Sequence, residues 1–262
     1  MHHREPPFLP PGSETCAASQ AIDDLIAAAL RHRAVRHPYL FALAEGTLPN
    51  PAGALADFAR HYQGYSAHFP RFLTAVISRL ENPAHREGLL ANLREESGHY
   101  APDELATLDA AGIAADWIVG VPHPELFQRF RRAVAGPAEA GEEEALDVVC
   151  WREMLMAVLS LGSAAEAVGA LGPGTESIVA AVYQPLGRAI GRHGGLAPRD
   201  TVFFPLHTLV DDAHTLTLRR IAIDFARTES GRADLARGMH KALALRDSVW
   251  SWLHERARRM AA

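Results

Sequence analysis

Phe203-Phe-Pro-Leu-His207-Thr-Leu-Val-Asp211-Asp-Ala-His214 places two imidazoles and a carboxylate at i, i+4 and i+7. At about 100° per residue the three lie within roughly 60° of one another on a helix. The same stripe carries Phe203, Val210, Leu218 and Ile221, so the helix turns these polar groups toward the side that should be buried. A buried set of imidazoles and a carboxylate needs a partner, and a transition metal is one that all three can hold. No thiolate is near the motif, which argues against structural zinc. Mixed nitrogen and oxygen donors suit iron or manganese and leave positions open for dioxygen and a substrate.

Outward from this helix the periodicity stays helical. Helices are expected over Ala21 to Arg36, Leu40 to Gly46, Pro51 to about Ser66, Phe69 to Leu80 and Pro83 toward His99, with a kink or restart at Pro102. Asn50 before Pro51 has the form of an N-cap followed by a first-turn proline. A loop is expected around Val121-Pro-His123-Pro124. One helix should run from about Glu144 to Leu171, another from Thr175 to Arg192, and a third should carry the His207 motif with Asp200 or Thr201 as its cap. A last amphipathic helix spans about Ala233 to Arg259. With no alternating strand and no internal repeat, the pattern predicts an all-α bundle: a flexible arm over residues 1–18 and one helical-bundle domain over 19–262.

Composition narrows the function. The chain has 262 residues, 48% of them hydrophobic, enough for a large core. Its net charge is −5, and no basic run interleaves with aromatics, so nucleic acid is an unsuited partner. Cys16 and Cys150 are far apart and form no C-x-x-C pair, as expected of a reduced cytoplasmic protein. The run Met154 to Ala165 is too short to span a bilayer, so no membrane partner is expected.

Dimetal sites in helical bundles draw a carboxylate-x-x-His pair from each of two helices, with further carboxylates from others. This chain offers Glu96-Ser-Gly-His99 and Asp211-Asp-Ala-His214. With 31 Asp plus Glu and 14 His, about two such pairs arise by chance, so the setting decides and not the spacing. Glu176 follows a Gly-Pro-Gly-Thr turn and enters an apolar run, where it could equally serve as a first-turn carboxylate favoured by the helix dipole.

Three segments taken in order resemble a known family: Asn92-Leu-Arg-Glu-Glu96-Ser-Gly-His99, Gly174-Thr-Glu176-Ser-Ile-Val, and the His207 motif. They are similar to the haem-oxygenase-like dimetal oxidases and oxygenases, iron-containing redox enzymes of the thiaminase and PQQ-synthesis superfamily. His37-Pro-Tyr-Leu-Phe-Ala-Leu-Ala-Glu-Gly46, Tyr62 and Phe69-Pro-Arg-Phe72 extend the resemblance, which covers roughly residues 20 to 227. It implies a seven-helix haem-oxygenase-like bundle with two irons. Glu96, His99 and His207 would hold one, with Glu96 as a bridge, and Glu176, Asp211 and His214 the other. Many members place the first histidine seven residues after the glutamate, where this chain has Asp103. The shorter spacing here resembles the branch with the alkene-forming fatty-acid decarboxylase. Glu166 is the alternative to Glu176.

The resemblance further implies reductive activation of O2 at two ferrous ions, with an external electron donor and a homodimer both compatible with the family. The substrate is expected to be a small amino acid or related carboxylate that is desaturated, hydroxylated, N-oxygenated or cleaved at a C–C bond, or else a fatty acid that is decarboxylated. Tyr65, His68 and Arg152 are candidates for a substrate head group, each with a plainer alternative: packing, a surface histidine, and an Arg paired to nearby acids. Three rival readings stand beside this one. A metal-free thiaminase-like hydrolase would use Cys150 as nucleophile, haem would bind through His32 or His37, and a non-enzymatic interaction protein would use the last helix.

Overall fold

Proline opens most of the helices. In the computed structural model, which describes residues 11–136 and 143–261 and the side chains of all of these except 11–14 and 209–213, the chain runs α1 (Pro11–Arg31), α2 (Pro38–Glu45), α3 (Pro51–Ser66), α4 (Phe69–Arg79) and α5 (Pro83–Glu96). It continues through α6 (Pro102–Ala110), α7 (Ala115–Ile118), α8 (His123–Ala135), α9 (Leu146–Leu161) and α10 (Ala164–Leu171). A 3-10 turn (Glu176–Ile178) then leads to α11 (Val179–His193), α12 (Pro198–Thr201), α13 (Phe203–Phe225) and α14 (Glu229–Arg259). Proline lies in the first turn of α2 to α6, α8 and α12, where its missing N–H has no intrahelical partner in any case. Side-chain caps complete several starts: Asn50 Oδ1 accepts from the Gly53 amide at 2.8 Å, and Asn82 Oδ1 from the Ala84 amide at 2.9 Å.

The fold is all-α, and no strand occurs among the described residues. Its helical segments outnumber the expected seven because proline, glycine and caps cut the rods. Gly162 and the Ser163 cap divide the single helix expected over Glu144 to Leu171 into α9 and α10. The expected arm is shorter than its composition implied: residues 11–18 already belong to α1, where Ala18 is buried, and residues 1–10 lie outside the described residues. No helix among the described residues is long and apolar enough to cross a membrane.

One hydrophobic core runs from Ala18 to Ala257, with Phe58, Tyr62, Phe127 and Trp250 at its aromatic centre. The tightest packing joins α10 and α14. A Cβ on Gly169 would overlap the Leu235 carbonyl, and one on Gly238 would overlap the Glu166 carbonyl, so the two backbones touch where each helix carries glycine.

Across the bundle, Arg256 of α14 grips Asp57 of α3 through two hydrogen bonds of 2.9 and 2.8 Å, with His61 Nε2 3.3 Å away. Burial pushes the Asp57 carboxyl up, but Arg256 and His61 outweigh it and hold the carboxyl at about 2. Because its folded pKa lies below its unfolded one, the stability it contributes is present above about pH 4 and is lost as pH falls toward 2. Asp57→Asn is therefore expected to lower unfolding stability by about 1–3 kcal/mol at pH 7. In urea titrations the gap to wild type should narrow below pH 4, and a gap unchanged at pH 3 and below would count against the ion pair.

Candidate metal centre

The end of α5 creates the site. Glu96 is its last residue, and Gly98 follows at φ +82°, a left-handed conformation that glycine adopts without strain. A Cβ on Gly98 would lie 2.6 Å from the Val121 amide nitrogen, and the Gly98 carbonyl accepts from the Gly120 amide at 2.9 Å. This close approach seats the segment before α8 against the end of α5 and brings His123 to Glu96. His123 Nδ1 is 3.1 Å from Glu96 Oε1, and His207 Nε2 of α13 is 3.3 Å from His123 Nδ1 and 3.8 Å from Glu96 Oε1. One ligand atom from each residue lies within 4.8 Å of the others.

Partners behind the imidazoles orient them. His207 Nδ1 donates to the Phe203 carbonyl at 2.7 Å, which leaves Nε2 as a lone pair facing the cluster, and burial holds the imidazole neutral with its pKa lowered to about 3. His123 Nε2 meets the Tyr100 hydroxyl at 2.7 Å, which turns Nδ1 inward. Burial raises the Glu96 carboxyl, but the nearby histidines, His123 first, outweigh it and hold it at about 2. The cluster thus turns Glu96 Oε1 and the lone pair of His207 Nε2 toward one point, and His123 Nδ1 adds a third lone pair in the tautomer whose Nε2 donates to the Tyr100 hydroxyl. A cation bound by all three satisfies them together, and the nitrogen and oxygen donors fit iron.

Beside this trio lie more of the expected ligands. Glu176 is buried on the 3-10 turn and lines the same cavity, where burial pushes its carboxyl up to about 7 against the pull of His214. His214 is buried with Nε2 2.9 Å from Glu95 Oε2. Burial alone would lower its pKa, but Glu95 and Glu176 raise it to about 9. The side chain of Asp211 lies outside the described residues.

His99 stands apart. Because α5 stops at Glu96 and the chain turns at Gly98, the i, i+3 geometry that would put His99 on the face of Glu96 does not form, and His99 is exposed. Asp103 is exposed as well, on α6. Glu166 is bound to Lys241 at 2.5 Å. Cys150 is exposed and does not line the cavity. His37 is engaged structurally: its Nδ1 caps α2 and its Nε2 meets Ser251 Oγ at 3.1 Å. His32 Nδ1 accepts from the Ala34 amide.

Of the substrate candidates, Tyr65 lines the cavity, stacked on Trp151 with ring centroids 4.2 Å apart. His68 Nδ1 bonds the Gly64 carbonyl, and Arg152 pairs with Glu144, so both are engaged elsewhere.

Sequence reasoning missed His123, Glu95 and Arg246. His123 falls in the stretch expected as a loop, although Pro124 and Glu125 followed by Leu126, Phe127 and Phe130 have the form of a helix start. Arg246 interrupts the buried stripe Met239, Leu243, Trp250 and Leu253 of α14, and a charge in such a stripe was the available signal.

A family model described as "Iron-containing redox enzyme" matches residues 56–247. Among curated proteins none matches the chain in sequence. Solved structures share the fold. A CADD-like protein of unknown function from Nostoc punctiforme has a TM-score of 0.69 at 13% identity, over 92% of this chain and 96% of that one. A TenA homolog from Pseudomonas syringae pv. tomato has a TM-score of 0.63 at 14% identity, over 99% of each chain. A domain of unknown function with a heme oxygenase-like fold from Shewanella denitrificans has a TM-score of 0.61 at 12% identity, over 95% of this chain and 94% of that one. With the family match spanning most of its length, the chain belongs to the iron-containing redox enzymes and has the heme oxygenase-like all-α fold.

Proposed function

We propose that the protein is an O2-activating non-haem di-iron oxidase or oxygenase acting on a small amino acid or related carboxylate. The observation that carries this reading is the cluster of buried Glu96 and His123 with half-buried His207, three donors from three helices around one point. In this reading these residues hold one iron, and Glu176, Asp211 and His214 hold the second, with Glu95 beside His214. When bound, iron supplies the one-electron chemistry that reduces dioxygen, with an external donor returning electrons.

The chain's own residues do the rest. The Phe203 carbonyl and the Tyr100 hydroxyl keep the two imidazoles aimed at the cluster. Phe69, Phe203, Tyr62 and Tyr183 line the cavity and exclude bulk water. The metal-free hydrolase reading has less support, since Cys150 lies outside this cavity.

Anaerobic loading with Fe(II), metal analysis and stopped-flow mixing with O2 test the proposal. Two irons per chain and O2 consumption accelerated by a small carboxylate are the expected results. Failure to retain iron, or O2 consumption indifferent to every amino acid and fatty acid offered, would sink it.

A further inference from the structure

Arg246 is a cation in the core whose charge reaches Glu176 across the cavity without forming an ion pair with it. It is 4% exposed on α14 and lines the same cavity as Glu96 and Glu176. No carboxylate among the described residues lies within ion-pair distance of it. Its Nη1 donates to the Tyr62 hydroxyl at 3.3 Å and its Nη2 to the Tyr65 hydroxyl at 3.0 Å, while its guanidinium carbon sits 5.1 Å from the Tyr65 ring centroid and 5.5 Å from that of Trp151. Neutral phenols and ring faces position a guanidinium but do not cancel its charge, and a buried charge left uncancelled is costly. The flanking stripe of Met239, Leu243 and Trp250 shows that an apolar side chain would suit this helix face.

Iron sharpens the problem. In the proposed enzyme, iron held by Glu96 and Glu176 would neutralise the two carboxylates that line the cavity, Glu176 among them, and Arg246 would then be surplus positive charge. The planar fork of Arg matches a carboxylate with two parallel hydrogen bonds. The Tyr65 hydroxyl, which accepts from Arg246 and donates to no acceptor among the described residues, has a hydrogen to add. The two glutamates lining the cavity oppose a phosphate dianion more than a monoanion.

We propose that Arg246, with the hydroxyls of Tyr62 and Tyr65, is the subsite that binds the substrate's carboxylate beside the Glu96, His123 and His207 cluster. This deepens the oxygenase reading and rests on it for the identity of the ligand as substrate. In the proposed enzyme Arg246 is a substrate-binding and specificity-determining residue, and it supplies no ligand to iron.

The test is binding, followed by the fluorescence of the tryptophans flanking the guanidinium, in the full chain both as purified and after anaerobic Fe(II) loading. Glycine, acetate and propionate are titrated against acetamide and inorganic phosphate, with wild type, Arg246→Lys, Arg246→Met and Tyr65→Phe. The expected result is saturable binding of the carboxylates and not of acetamide or phosphate, weakened at least tenfold in Arg246→Met, less in Arg246→Lys, at unchanged iron content. Wild-type protein that fails to distinguish acetate from acetamide overturns the proposal without any variant having to fold. Equal affinity in Arg246→Met also overturns it, as does loss of iron together with binding, which would make Arg246 a counter-charge to the metal-binding carboxylates. Arg246-dependent carboxylate binding in a protein that retains no iron would keep the subsite and remove the oxygenase reading, so the two failures separate.

Discussion

His123→Ala is expected to lose most of its iron, whereas His99→Ala keeps a wild-type complement. His123 Nδ1 is 3.1 Å from Glu96 Oε1 and 3.3 Å from His207 Nε2, and the imidazole is locked from behind by Tyr100. His99 is exposed beyond the turn that ends α5. Changing an outer partner of a metal ligand typically costs roughly 10- to 100-fold in affinity, so loss of a ligand itself should cost at least about 100-fold. His123→Ala should therefore show little iron by metal analysis after desalting and correspondingly little O2 consumption. Tyr100→Phe, which leaves the imidazole but frees its orientation, should fall between. Equal iron in His123→Ala and wild type would refute the assignment, and loss of iron in His99→Ala alone would restore the reading based on spacing.

Gly238→Ala is expected to lower stability by about 3 kcal/mol, although alanine is the better helix former by about 1 kcal/mol. An added Cβ would overlap the Glu166 carbonyl, which is backbone and cannot rotate away, so α10 and α14 must separate. Gly169→Ala meets the Leu235 carbonyl from the other side and should behave alike. Gly187→Ala is the control: on α11 its Cβ would meet nothing within 4 Å, and it should gain about 0.5–1 kcal/mol from the stiffer unfolded chain. Urea midpoints of the three variants decide the point. A Gly238→Ala protein as stable as Gly187→Ala would show that the helices are not in backbone contact. Arg246 lies about two turns along α14 from Gly238, so a displaced helix should also weaken carboxylate binding.

The all-α fold and the iron-containing family are legible along the chain because both rest on local pattern. Helical period, first-turn prolines and caps such as Asn50 act within a few residues, and α3 and α4 follow them closely. Local pattern gives a loop where α8 begins at His123, and a single helix where Gly162 and Ser163 split the chain into α9 and α10. It also extended the arm too far, since polar composition does not reveal that Ala18 packs into the core.

From sequence alone came the helices and the stripe holding His207 and His214, which follow from residues within about two turns of one another, and, from three such short segments taken in order, the likeness to an iron-containing family. Only the tertiary structure decided which histidine meets Glu96 and where Arg246 enters the cavity. His123 is 27 positions from Glu96 and Arg246 is 150, and no periodicity links residues so distant. Their meeting depends on the left-handed turn at Gly98, its contact with the Val121 backbone, and the packing of α14 against α3, each of which forms only when the core closes.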